Sequence, residues 1–93
     1  MDIQEIKDYF AFRGQTWPDG DSAIKFAITE IGEVVDAQMR LDPKWKRNNQ
    51  KEVNLGHELG DVYQMLEIAS HELTGKSLAE NLMEKWQSKG YGR

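Results

Sequence analysis

Between Asp21 and Leu41 the apolar residues Ile24, Ala27, Ile28, Ile31 and Val35 return every third or fourth position, and Gln38 continues the row. That is the 3.6-residue repeat of an α-helix, and a helix starting near Asp21 or Ser22 and ending near Leu41 must bury the stripe it carries. Pro43 disfavours a helical residue before it and so closes this second helix. The same repeat then resumes at Leu55, Leu59, Val62, Leu66, Ala69 and Leu73, predicting a third helix from about Glu52 to Thr74, with Gly75 as its stop. Two shorter helices flank the pair. Asp2 and Glu5 form a capping pair ahead of Ile3, Ile6 and Phe10, and Gly14 with the turn-rich "GQTWPDGDS" ends that first segment. Ser77 and Glu80 form a capping box for a fourth, carrying Leu78, Leu82 and Trp86. No stretch alternates as a strand would. Residues 1–93 therefore read as a single all-α domain, a four-helix bundle. The second helix also carries an extra apolar strip around Phe26, Val34 and Ala37, more than so small a core can cover, so the bundle is expected to be completed by oligomerisation.

Composition narrows the function. No run reaches the roughly 20 apolar residues of a membrane span, and "MDIQEIKDYF" does not read as a secretory leader. The absence of cysteine removes thiolate metal sites and disulfides and fits a cytoplasmic setting. A net charge of −4 argues against a partner as anionic as a nucleic acid polymer. The local exception is "PKWKRNNQK", where Lys44, Lys46, Arg47 and Lys51 flank Trp45, and this stretch is read as a solvated loop.

The chemistry lies in two short repeats. "EIGE" places Glu30 and Glu33 on the second helix, and "ELGD" places Glu58 and Asp61 on the third. Residues three apart on a helix share a face, so each pair projects together. Phe26 and Ala37 bracket the first pair and Met65 follows the second, which is unfavourable company for unpaired carboxylates. A hard cation resolves the conflict, because Mg2+ takes oxygen ligands and leaves positions open for water or substrate. Gly32 and Gly60 each cost about 1 kcal/mol of helix propensity relative to alanine, a cost that close approach of the two helices would offset. His57 stands beside Glu58 but has no second histidine at ligand spacing, so it is read as surface or as a neighbour of the ligands.

An E-x-x-E pair, 24 intervening residues (34–57) and an E-x-x-D pair together resemble the all-α nucleoside triphosphate pyrophosphohydrolases of the MazG type. "SAIKFAITEIGEVVDAQ" and "LGHELGDVYQMLEIA" are similar to the two central helices of that family, and the likeness extends from about Trp17 to "LMEKW" at Trp86. Thr29 and His57 stand where many members carry a further acid. The resemblance implies that Glu30, Glu33, Glu58 and Asp61 bind Mg2+, with Mn2+ able to substitute. It implies that Glu33 orients or deprotonates a water attacking the α-phosphorus, giving a nucleoside monophosphate and pyrophosphate. It also implies a homodimer or homotetramer with a house-cleaning role in the nucleotide pool.

Among the basic residues, Lys25, Lys85, Lys89 and Arg93 are candidates to balance phosphate charge; Lys85 is favoured because "EKW" matches the family's late Lys-aromatic pair. Trp17, on its loop, is the candidate for contact with a base, whereas Trp86 fits the apolar repeat of the fourth helix. Two other functions compete with this one. Phosphoribosyl-ATP pyrophosphohydrolase, a relative of the same fold, would share the metal site and differ in its base and ribose contacts. A non-catalytic helical interaction module would keep at most the metal.

Overall fold

A computed structural model describes residues 1–44 and 53–92. Four helices follow one another: α1 (Ile3–Arg13), α2 (Gly20–Leu41), α3 (Leu55–Thr74) and α4 (Leu78–Ser88). No strand occurs among the described residues.

Each helix starts where a side chain can take up a free backbone N–H. The carboxylate of Asp2 accepts from Glu5 N at 3.0 Å, and Ser77 and Glu80 close the capping box with bonds of 3.0 and 3.2 Å. Two starts differ from those read in the sequence. The α2 helix opens at Gly20 because Asp19, not Asp21 or Ser22, is the cap, accepting from Ser22 N at 2.7 Å. The α3 helix opens at Leu55 because the Asn54 side chain accepts from His57 N at 3.0 Å; Glu52, the expected start, lies outside the described residues. Gly14 (φ 65°) and Gly75 (φ 73°) end α1 and α3 in the left-handed conformation that a side chain would resist.

The α2 and α3 helices form the body of the molecule. Gly20 at the start of α2 lies so close to Leu73 near the end of α3 that a Cβ would sit 2.5 Å from its side chain. At the other end Glu33 approaches Glu58, so the two helices run antiparallel. The face of α2 turned toward α3 is narrow and small: Gly20, Ala23, Ala27 and Ala37 are buried. The α1 helix lies across one side of this hairpin, where Ile6 and Phe10 join Ala23, Ile68 and Ala69 in the core, flanked by Ile3, Trp17 and Met65.

This packing reverses part of the expected pattern. Ile24, Ile28, Ile31 and Val35, read as the inward stripe of α2, are all exposed, Ile28 at 66%. Ala37 and half-buried Val34, read as part of an outer strip, instead face the interior. On α3, Leu59, Leu66 and Leu73 are likewise exposed, while Ile68 is fully buried. The reason is helical phase. Ile24 and Ile28 follow Ala23 and Ala27 by one residue, a 100° turn, just as Leu59 and Leu66 follow Glu58 and Met65. In an antiparallel pair these offsets turn to the same side, so the branched residues form one apolar sheet of side chains opposite α1. Leu82 and Trp86 on α4 are exposed as well. The Cα radius of gyration, 16.2 Å, exceeds the roughly 12 Å of a compact chain this long, and the thinnest extent is 21 Å, about two helices deep.

The attachment of α4 rests on a buried acid that its sequence position gave no reason to single out. Glu67, 2% exposed, accepts from Leu78 N at 3.0 Å, lies 3.2 Å from His71 Nε2 and receives the Tyr63 hydroxyl, which raises the Tyr63 pKa above its ordinary value. The Ser70 hydroxyl adds a bond to Lys76 O at 2.7 Å and accepts from Asn81 at 2.8 Å. Replacing Glu67 by Ala leaves the first turn of α4 with an unpaired donor, so unfolding free energy is expected to fall by about 2 kcal/mol. Urea titration followed by circular dichroism checks this; a change under about 0.5 kcal/mol would mean that Glu67 does not hold α4 in place.

Candidate metal centre

Four carboxylates meet where α2 and α3 face each other. Glu30 and Glu33 come from successive turns of α2, and Glu58 and Asp61 from the first turns of α3. One carboxylate oxygen from each lies within 4.8 Å of all the others. The i, i+3 spacing sets each pair on one face, and the antiparallel pairing brings the two faces together.

The cluster gathers negative charge in one place, and no ion pair among the described residues offsets it. Glu30 has its pKa raised to about 7, first by loss of solvent, then by the Glu33 side chain within hydrogen-bonding reach, and then by the charges of Glu33, Asp61 and Glu58. Glu58 is raised for the same leading reason, with Glu33 and Asp61 adding to it and His57 opposing. Oε2 of Glu30 and Oε2 of Glu58 are buried without a hydrogen-bond partner. Among the described residues the ion pairs are Arg40–Asp36, His71–Glu67 and Lys76–Glu84, and none of them reaches the four acids. Buried oxygens of like charge with no donor cost several kcal/mol unless protonated or shared by a positive ion. The donor set is all oxygen, which suits Mg2+, Mn2+ or Ca2+ rather than a thiophilic metal. The residues therefore fit the group that the resemblance implies.

Of the other candidates, Lys25 and Lys85 are exposed and line neither of the clefts that open onto Asp61. Lys89 lines a small hollow with Trp86 and Tyr91 at the far end of α4, where the two rings meet edge to face at 5.8 Å. Arg93 lies outside the described residues, as do Trp45, Lys46, Arg47 and Lys51 of the basic stretch. Trp17 is committed to the fold: its Nε1 donates to Glu72, its ring meets Phe10 at 5.2 Å, and Lys7 Nζ lies 5.6 Å from its centroid. His57 is exposed beside Glu58 and stands outside the ligand cluster. A Cβ added at Gly32 or Gly60 would meet nothing within 4 Å, so close approach of α2 and α3 does not explain these glycines; the tight contact is at Gly20.

Three residues next to the acids escaped the sequence reading. Arg40 lines a cleft of about 350 Å³ with Glu33 and Glu58, and Tyr9 and Gln64 line both clefts on the α1 side with Asp61. Arg40 was legible in principle, since it lies seven residues, nearly two full turns, beyond Glu33. Tyr9 was not, because only the packing of α1 brings it there.

Comparison with protein-family models, curated proteins and solved structures returns no match for this chain.

The raised Glu30 pKa has a consequence for stability. Below about 4.5 the carboxyl is protonated in both folded and unfolded chains, and between there and about 7 the folded chain keeps a proton the unfolded chain has lost. That contribution is complete at the acid end and is lost as pH rises through about 7. The lowered carboxyls of Asp19 and Glu80 act oppositely but titrate below this window. In chelator-treated protein, Glu30→Gln should therefore gain melting temperature over the parent between about pH 5 and pH 8. A gap that stays constant across that range would contradict the crowding of Glu30.

Proposed function

We propose that this chain is a nucleoside triphosphate pyrophosphohydrolase of the MazG-like kind, dependent on Mg2+ with Mn2+ able to replace it, which cleaves its substrate at the α-phosphorus and serves to clear unwanted nucleotides. One observation carries the proposal: two i, i+3 acid pairs on facing helices converge with buried, partnerless oxygens. When bound, Mg2+ would supply positive charge against the triphosphate oxygens and the developing charge of the leaving group. The protein's own part is positioning and proton transfer. Glu33 lies within hydrogen-bonding reach of both Glu30 and Glu58, is itself exposed, and so can hold a water at the mouth of the cluster. Attack of that water on the α-phosphorus breaks the bond to the bridging oxygen, pyrophosphate departs, and Glu33 takes the proton. Arg40, on the Glu33 side of the cluster, is placed to steady phosphate oxygens, although Asp36 holds its Nε at 2.8 Å. No covalent nucleophile is needed.

The same proposal makes the chain a homodimer, or a pair of dimers, joined through the apolar face of Ile24, Ile28, Ile31, Val35, Leu59 and Leu66. The accessible surface is 7059 Å², whereas a compact monomer of 10.7 kDa exposes about 5,500 Å². An excess on the order of 1,500 Å² per chain is what an obligate dimer buries.

Phosphorus NMR of a Mg2+ reaction with a panel of nucleoside triphosphates should give monophosphate and pyrophosphate; orthophosphate as the first product would refute attack at the α-position. Glu33→Gln should lower kcat by about 10²–10⁴-fold with triphosphate binding retained, and an unchanged rate would remove Glu33 from catalysis. Sedimentation at micromolar concentration should show a dimer or larger species, turned to monomer by Ile28→Asp. Phe26→Asp should leave the oligomer intact, because Phe26 lies on the acid side rather than on the apolar face. A monomeric parent protein would refute the assembly.

A further inference from the structure

We propose that the cleft between α1, the first half of α2 and the facing side of α3 is the subsite for the substrate's nucleobase, with Phe26 and Tyr9 as stacking surfaces and Gln64 as the group that reads the base edge. This inference rests on the nucleotide reading above and adds to it how the substrate lies. The cleft holds about 410 Å³, within the range of small-molecule sites, and Glu30 and Asp61 form one of its walls. A ligand whose phosphates engage the acidic cluster therefore reaches it without leaving the surface. Phe26 stands one helical turn before Glu30, about 6 Å along the axis, a separation that a ribose can span.

The lining has the chemistry a base requires. Phe26 and Tyr9 are 49% and 47% exposed although they border the core that holds Phe10. Every base offers a face to stack on such rings, and hydrogen-bonding edges at right angles to that face. Gln64 and Gln15 line the same cleft, and their side-chain amides have no hydrogen-bond partner among the described residues. An amide both donates and accepts, so it can match base edges that a carboxylate or an ammonium cannot. Gln64 is the better placed of the two, since it stands three residues from Asp61 on the same helix and lines the clefts on both sides of that acid. Trp17 is left out because its indole N–H and ring are already engaged.

Calorimetric titration with Mg2+ and the α,β-methylene analogues of ATP, GTP, CTP and UTP tests the assignment, with inorganic tripolyphosphate as the ligand that has no base. Phe26→Leu is expected to weaken the nucleotide analogues by about 10-fold or more, with tripolyphosphate affinity held within about 2-fold, while Phe26→Tyr binds as the parent does. Gln64→Leu is expected to narrow the spread of affinities among the four bases. Circular dichroism of each variant establishes that the helices persist; if Phe26→Leu unfolds, the Gln64→Leu titration decides alone. Equal loss for nucleotides and tripolyphosphate, or no loss for either, overturns the subsite and leaves the pyrophosphohydrolase reading standing. If the parent binds neither nucleotides nor tripolyphosphate, that reading falls and the subsite with it.

Discussion

Mutual repulsion among Glu30, Glu33, Glu58 and Asp61 is the constraint around which the rest of the molecule is arranged. Bringing four carboxylates within 4.8 Å of one another opposes the packing of α2 on α3, and Glu30, raised to a pKa of about 7 first by loss of solvent and then by Glu33, Asp61 and Glu58, carries part of that cost. The hairpin forms nonetheless because apolar contacts hold the two helices together beside the acids, toward the start of α2 and the end of α3. Gly20 meets Leu73 at one end, and Ala23 packs with Ile68 and Ala69 beneath α1. Stability contributed by small residues and close backbone approach is thus set against a local cost, an arrangement characteristic of sites that bind a charge-compensating ligand.

From that hairpin the two faces of the molecule take separate duties. On the α1 side, Tyr9, Phe26 and Gln64 line the cleft that opens onto Glu30 and Asp61. The opposite side leaves Ile24, Ile28, Ile31 and Val35 in the open, beside Leu59 and Leu66. Burying that face against a second copy would stiffen α2 and α3 from behind, holding the carboxylates in register against their own repulsion. If the proposed assembly and metal site both exist, they would be coupled, since whatever favours the four acids being together would favour both.

The helices were legible because their signals are local. Gly14, Gly75 and the Ser77–Glu80 box act within one turn, and the acid pairs needed only the helical period to be seen as two faces. The phase of burial was not legible in the same way. A stripe of Ile24, Ile28, Ile31 and Val35 outweighs Ala23, Ala27 and Ala37 in hydrophobicity, and hydrophobicity is what periodicity reports. The smaller residues won the intrachain contact because two helix backbones approach more closely over alanine and glycine. Pattern alone does not say which apolar face meets the same chain and which is left in the open. Glu67 under α4 and Tyr9 beside Asp61 likewise depend on tertiary placement, whereas the Asn54 cap is as local as the others and could have been read. Trp17 shows the opposite error: a loop position suggested availability, whereas Glu72, 55 residues away, holds its N–H.

The central claim is that the four carboxylates form a divalent-cation site, and a crystal grown with Mn2+ tests it most directly. An anomalous difference map is expected to show one or two Mn2+ ions between Glu30, Glu33, Glu58 and Asp61, with calorimetric Mn2+ binding abolished in the Glu30→Gln, Glu58→Gln double variant. Mn2+ bound elsewhere on the chain, or bound with unchanged affinity by the double variant, would contradict it.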